Sequence, residues 1–170
     1  MKYLFVITFI VVYACFGNEI GYTSNSPVWA HITYMFQHTG LIHLLFNSIA
    51  FIGMYAALSI NIKKWQIITF PIICAFTASF LPLASFDIPT IGASGVVYAM
   101  IGMHIAKTLR RAFKNKQYRL YLLCILICLT ASLFNPNSNF WLHLYASALG
   151  FILQQLKSVF RYKTNYTCVW

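Results

Sequence analysis

Acidic side chains are almost absent from this chain of 170 residues: Glu19 and Asp87 are the only two. That scarcity excludes whole enzyme classes. A His-Glu-x-x-His metalloprotease helix, a facing pair of aspartates and the neighbouring carboxylates of a retaining glycosidase cannot be assembled from two isolated acids. Charge of either sign is scarce too, 8% of residues against 60% hydrophobic, where an ordinary soluble domain carries about 25% charged. Most of the surface therefore cannot face water, and a bilayer is the natural solvent. Cysteine is limited to an odd set of five, Cys15, Cys74, Cys124, Cys128 and Cys168, the first four inside apolar runs, so no disulfide framework is implied. Cys124 and Cys128 share a helical face at i,i+4, but a metal would need further ligands, and buried cysteine commonly packs as a small hydrophobe. No metal or cofactor is expected. Repeats, low-complexity segments and long linkers are also missing, and the length suits a single domain over 1–170.

What is abundant is apolar sequence, in runs 3–16, 40–60, 65–85, 95–106, 120–134 and 140–156. These are six candidate spans of an all-α, multi-pass membrane protein, several shorter than the ~20 residues that cross a bilayer comfortably. The connections decide orientation. All 12 Lys and Arg lie at the N-terminus (Lys2), after the second run (Lys63, Lys64), after the fourth (Lys107, Arg110, Arg111, Lys114, Lys116, Arg119) or after the sixth (Lys157, Arg161, Lys163). The alternate connections, 17–39, 86–90 and 135–139, have none. By the positive-inside rule both termini are cytoplasmic, which points to the cytoplasmic (inner) membrane. The net charge of +10 is then an orientation signal, and no nucleic-acid partner is expected. A lipoprotein signal ending at a modifiable Cys15 is the rival reading of the first run, against which stand the bulky Tyr13 and the five runs that follow.

Strongly polar residues in membrane helices are expensive, so each marks a functional hypothesis. The second run places His43 and Asn47 at i,i+4, one above the other on one face. Both can donate into one cavity; they can equally form a polar clamp between helices. The fourth run opens with Ile91-Gly92-Ala93-Ser94-Gly95. A serine between glycines at a helix start has an exposed hydroxyl and nearby unsatisfied N–H groups that favour a developing oxyanion; the alternative is a turn with Ser94 as N-cap. Gly95, Ala99 and Gly102 continue as a small-residue stripe. In the sixth run His143, Ala146 and Gly150 put a histidine at the head of a second stripe, and docking the two stripes would bring His143 to Ser94.

Together, His43-x-x-x-Asn47 in span two, Gly92-x-Ser94-Gly95 opening span four with Tyr98 one turn on, and His143 with Gly150 in span six resemble the rhomboid family of intramembrane serine proteases. The resemblance covers essentially the whole chain as a compact six-helix bundle. It implies Ser94 as nucleophile, His143 as general base and later acid, and Tyr98 stacked on the His143 ring. The implied oxyanion hole combines the Ser94 N–H with the side chains of His43 and Asn47, and His38 lines the hydrated cavity above. Asp87 is the one acid near enough in sequence to be imagined as a third member. His31 and His104 read as interfacial residues without a catalytic role. The implied substrates are single-pass membrane proteins, whose transmembrane segment enters laterally near span five and is cut at a small residue where the helix is unstable. The connection 135–139, with Pro136, would be a movable cap. Two departures stand out: Ala146 replaces the usual glycine, which sets spans four and six slightly farther apart, and Trp29-Ala30 stands where relatives carry Trp-Arg, which affects how the first external loop is seated in the membrane. A catalytically inactive relative that binds membrane clients, or a small six-span transporter subunit, would share the size and hydropathy; the second would not need these four polar residues, and the first typically loses Ser or His.

Overall fold

The structure, a computed structural model, describes residues 1–16, 21–60, 62–82, 84, 89–131 and 138–166. It is helical, in the order α1 (Lys2–Cys15), α2 (Ala30–Thr33), α3 (Leu41–Ser59), α4 (Lys64–Ala78), α5 (Ser94–Ala112), α6 (Lys116–Ala131) and α7 (Phe140–Tyr166). Among the described residues the only β pairing is an isolated antiparallel bridge, Tyr22 with Thr90. Each predicted apolar run has its helix, and the four-residue α2 in the first long connection was not foreseen.

Helix ends differ from the apolar runs for identifiable reasons. The third run was expected to reach residue 85, but α4 stops at Ala78. There the Ser79 hydroxyl donates to the Phe76 carbonyl, the Ser79 N–H is shared by the Ala75 and Phe76 carbonyls, and Pro82 cannot continue a helix. α5 runs past the expected residue 106 to Ala112, because Lys107-Thr108-Leu109-Arg110-Arg111 ends the apolar run without containing a helix breaker. α7 overruns residue 156 in the same way. Consequently, among the described residues, only α3 is both long and apolar enough to cross a membrane on length and composition, while α1 and α4 are shorter apolar helices.

Several polar side chains are buried within an apolar core, and large apolar side chains stand outside. Asn47, Ser48, His143 and Ser147 are buried, whereas Leu4, Ile42, Phe46 and Leu126 are exposed. A large exposed apolar surface of this kind requires a partner, and lipid is one that accepts it on all sides. The main core gathers Phe51, Leu58, Ile67, Val96, Met100, Met103 and Leu142 between α3, α4, α5 and α7. Phe5 and Phe9 fasten α1 to this block through Phe36 and Phe51, Phe5 stacking on Phe51 at 5.0 Å.

The tightest pairing is α5 against α7. A Cβ on Gly102 would overlap the Ser147 carbonyl, and one on Gly150 would overlap that of Ala99. The two helices thus touch backbone to backbone, as small residues permit. Ala146, in place of the usual glycine, is fully buried in the core. The backbone contacts of Gly102 with Ser147 and of Gly150 with Ala99 follow it along α7. Both helices start at the same end of the bundle, as does α3, and their first turns therefore meet.

Candidate active site

His143 stands in the first turn of α7, which Asn139 caps. The Asn139 Oδ1 accepts from the Leu142 N–H at 3.0 Å, satisfying one of the orphan donors at the helix start. Its Nδ2 donates to the Ala84 carbonyl at 2.8 Å and to Thr90 Oγ1 at 2.9 Å. Tyr22 Oη also donates to the Ala84 carbonyl, at 2.7 Å. One asparagine therefore ties the start of α7 to the connections leading into α2 and α5, and so holds His143 in register with Ser94.

Ser94 is the first residue of α5. Ala93 occupies the N-cap position and no side chain caps the helix, so the N-cap reading of Ser94 is not what the structure shows. Its Oγ instead lies 2.9 Å from Nε2 of His143. The Tyr98 ring stacks on the His143 ring at 4.1 Å and 22°, and Ser138 Oγ lies 3.3 Å from Nδ1. The imidazole is thereby held at both nitrogens and on one face.

The loop before Ser94 brings in the second cluster. Gly92 has φ +121°, a conformation that L side chains rarely adopt, and a Cβ there would sit 2.7 Å from the His43 ring. Only glycine fits this point. The Gly92 N–H donates to the Tyr34 carbonyl at 2.9 Å, and Gly95 makes room for the Tyr34 hydroxyl, 2.9 Å from where a Cβ would stand. Nδ1 of His43 pairs with Thr39 Oγ1 at 3.1 Å, leaving the Nε2 edge against Gly92. Asn47 Nδ2 donates to the His43 carbonyl at 3.1 Å; an amide carries a second N–H. His43, Asn47, Gly92, Ser94, Tyr98 and His143 thus converge from three helices at one end of the bundle.

The comparison with known sequences gives the family of the chain that carries this cluster: it matches the Rhomboid domain family over residues 25–159. It belongs to the rhomboid family. A Bacillus subtilis (strain 168) protein named "Putative rhomboid protease YdcA" is 25% identical over 147 residues, covering 82% of this chain and 72% of that protein. A rhomboid domain is a membrane domain, so this is an integral membrane protein.

The remaining expected residues of this rhomboid divide. His38 is buried, its ring 5.1 Å from Phe9 and 5.2 Å from His43. It is itself part of the first connection and packs against α1, with 1% of its surface accessible. Neither ring nitrogen has a partner of good hydrogen-bond geometry, and burial, with a smaller contribution from His43, pushes its pKa down to about 4. His31 is not interfacial: it is buried, pairs through Nδ1 with Ser79 Oγ at 2.9 Å and lies between the rings of Tyr22 and Phe80. Trp29 is exposed, and Ala30 is buried, with 2% of its surface accessible. Asp87 and most of the 135–139 cap, including Pro136, lie outside the described residues.

Sequence reasoning missed Tyr22, Tyr34, Ser138 and Asn139. Asn139 alone left a signal, a capping residue directly before an apolar run. Tyr22 and Tyr34 act through contacts far apart in sequence, and Ser138, five residues before His143, stands in an irregular segment whose contacts have no period.

Proposed function

We propose that this rhomboid is an intramembrane serine endopeptidase in which Ser94 is the nucleophile and His143 its general base. The observation that carries the reading is the 2.9 Å approach of Ser94 Oγ to His143 Nε2, hydrogen-bond distance for the proton that must move. With Nδ1 protonated and donating to Ser138, Nε2 accepts the Ser94 proton as Oγ attacks the scissile carbonyl carbon. The imidazolium then protonates the leaving amine nitrogen, and water repeats the sequence on the acyl-enzyme. Negative charge on the carbonyl oxygen is stabilised by the Ser94 N–H, His43 and Asn47, donors in a site largely screened from water, where such bonds are strongest. Tyr98 keeps the ring oriented; Gly92 and Gly95 let the loop approach His43 and Tyr34. A Ser-His dyad needs no carboxylate, in keeping with a chain that has two acids.

The substrates are single-pass proteins of the same bilayer, entering from the lipid and cut at a small residue where the helix is locally unstable. Residues 1–170 act as one rhomboid-like domain of six membrane spans in the inner membrane, with both termini cytoplasmic, an arrangement supported by the cation distribution. An inactive client-binding relative or a transporter subunit has no use for a serine and a histidine at this distance.

Labelling with a fluorophosphonate tests the reading directly. The native chain should be labelled, and Ser94→Ala and His143→Ala should not. Each single variant should abolish cleavage of a single-span substrate, the double variant being no worse, since the two residues act as a unit. Undiminished cleavage by Ser94→Ala would end the proposal.

A further inference from the structure

The segments that carry Ser94 and His143 are joined a second time, upstream of the dyad. Thr90 stands four residues before Ser94 and Asn139 four before His143, and the Asn139 Nδ2 donates to Thr90 Oγ1 at 2.9 Å. The contact between Ser94 Oγ and His143 Nε2 is also 2.9 Å. The two pairs are successive rungs between the loop that leads into α5 and the start of α7.

On the α7 side the rungs are rigidly connected. The His143 N–H donates to the Asn139 carbonyl at 3.1 Å, and the Asn139 Oδ1 caps the same turn, so the imidazole and the amide belong to one helical turn. On the other side Thr90 exchanges two backbone bonds with Tyr22, at 3.1 and 2.8 Å, and the Gly92 N–H is held by the Tyr34 carbonyl at 2.9 Å. Those three bonds fasten the serine loop to the first connection, and none of them reaches α7. Among the described residues, Asn139 to Thr90 is the one hydrogen bond, apart from the dyad's own, that joins residues 89–94 to α7 and its cap.

Beyond the dyad in the other direction, α5 and α7 touch where Gly150 meets the Ala99 carbonyl. His143 lies seven residues before Gly150, about 10 Å of helix at 1.5 Å per residue. Tilting α7 about that contact by about 5° would therefore move His143 by about 1 Å, and a misplacement of that size can cost about 100-fold in rate. The rung on the far side of the dyad opposes such a tilt.

We infer that Thr90 and Asn139 are positioning residues of the proteolytic reaction, whose mutual hydrogen bond sets the distance between nucleophile and base separately from the capping of α7. Both act through Ser94 and His143, so the inference rests on the dyad proposed above.

Time-resolved labelling of the full chain in detergent with a fluorophosphonate tests it, the amplitude counting competent sites and the rate reporting their alignment. Thr90→Val removes the hydroxyl acceptor but leaves the Asn139 cap and the backbone bonds with Tyr22 in place. Its labelling rate and its turnover of a single-span substrate should fall roughly 10- to 100-fold, while amplitude, apparent substrate affinity and melting temperature stay near native. Thr90→Ser should restore the rate. Asn139→Ser keeps a side chain that caps helices well but lacks the amide N–H, and should fall at least as far. Adding Thr90→Val to it should cost nothing more, because the two residues make one interaction. Thr23→Val, which removes a hydroxyl contact of 3.0 Å within the first connection, should label at the native rate.

A native rate in Thr90→Val, or a reduced amplitude at a native rate, overturns the inference, as do additive losses in the double variant. Ser94→Ala tests the underlying reading separately. Labelling of Ser94→Ala would remove the dyad itself, whereas its failure to label, together with a native rate in Thr90→Val, removes only the second rung.

Discussion

Ser138 Oγ lies 3.3 Å from Nδ1 of His143, so the ring that meets Ser94 at Nε2 meets a second serine at its other nitrogen. In the proposed dyad this hydroxyl is the group placed to favour the tautomer protonated at Nδ1, the one that leaves Nε2 free to accept a proton. Ser138→Ala should lower turnover about 2- to 10-fold, the equivalent of one hydrogen bond of ~0.5–1.5 kcal/mol. Ser138→Thr, which keeps the hydroxyl, should restore it. Full turnover by Ser138→Ala on a single-span substrate would show that Tyr98 stacking alone orients the ring.

Asn47 donates to the His43 carbonyl in the resting site, so its catalytic and structural roles have to be separated. If its remaining N–H stabilises the oxyanion, Asn47→Ala should lose roughly 100-fold in turnover, the scale seen when one such donor is removed elsewhere. Apparent substrate affinity should change little, because that bond forms mainly in the transition state. A helix clamp predicts the reverse, a lowered melting temperature with near-normal turnover in the folded fraction. Measuring both on one sample decides.

Acid should weaken the fold through His38. Its pKa falls from 6.5 to about 4 on burial, so the unfolded chain binds the proton more readily. Stability from the neutral buried ring is fully present above 6.5 and declines as pH falls toward about 4. Melting temperatures of the native chain should drop across that window, and His38→Gln should flatten the drop. An identical pH profile in the variant would place the acid sensitivity elsewhere.

Topology follows from the cations. Reporter fusions after Lys64, Lys116 and Lys163 should read cytoplasmic, and fusions within 17–39 or 135–139 external. An external reading at Lys116 would contradict six spans with both termini inside.

Much of the site is legible before any folding is considered. Spacing along a helix has a fixed period, so His43 with Asn47, or Gly95, Ala99 and Gly102, declare a shared face from their numbers alone. Two small-residue stripes on different runs predict that those helices approach closely, and the contacts of Gly102 with Ser147 and Gly150 with Ala99 are that approach. Helix ends are less legible. Apolar runs mark where lipid can sit, whereas helicity continues through Lys107–Ala112 because nothing there breaks it, and stops after Ala78 because Ser79 takes up the last carbonyls.

The sequence by itself determined the solvent, the number of apolar runs, the distribution of cations and the faces that carry serine, histidine and asparagine. All of these depend on composition or on local periodicity. Only the tertiary structure decided that His143 reaches Ser94, that Ser138 meets the far side of the imidazole, that Gly92 must be glycine because His43 stands against it, and that His31 and His38 are buried. The first of those relationships joins helix ends 49 residues apart. Polar contacts between irregular segments have no period, so they become visible only when packing of the apolar helices has brought their ends together.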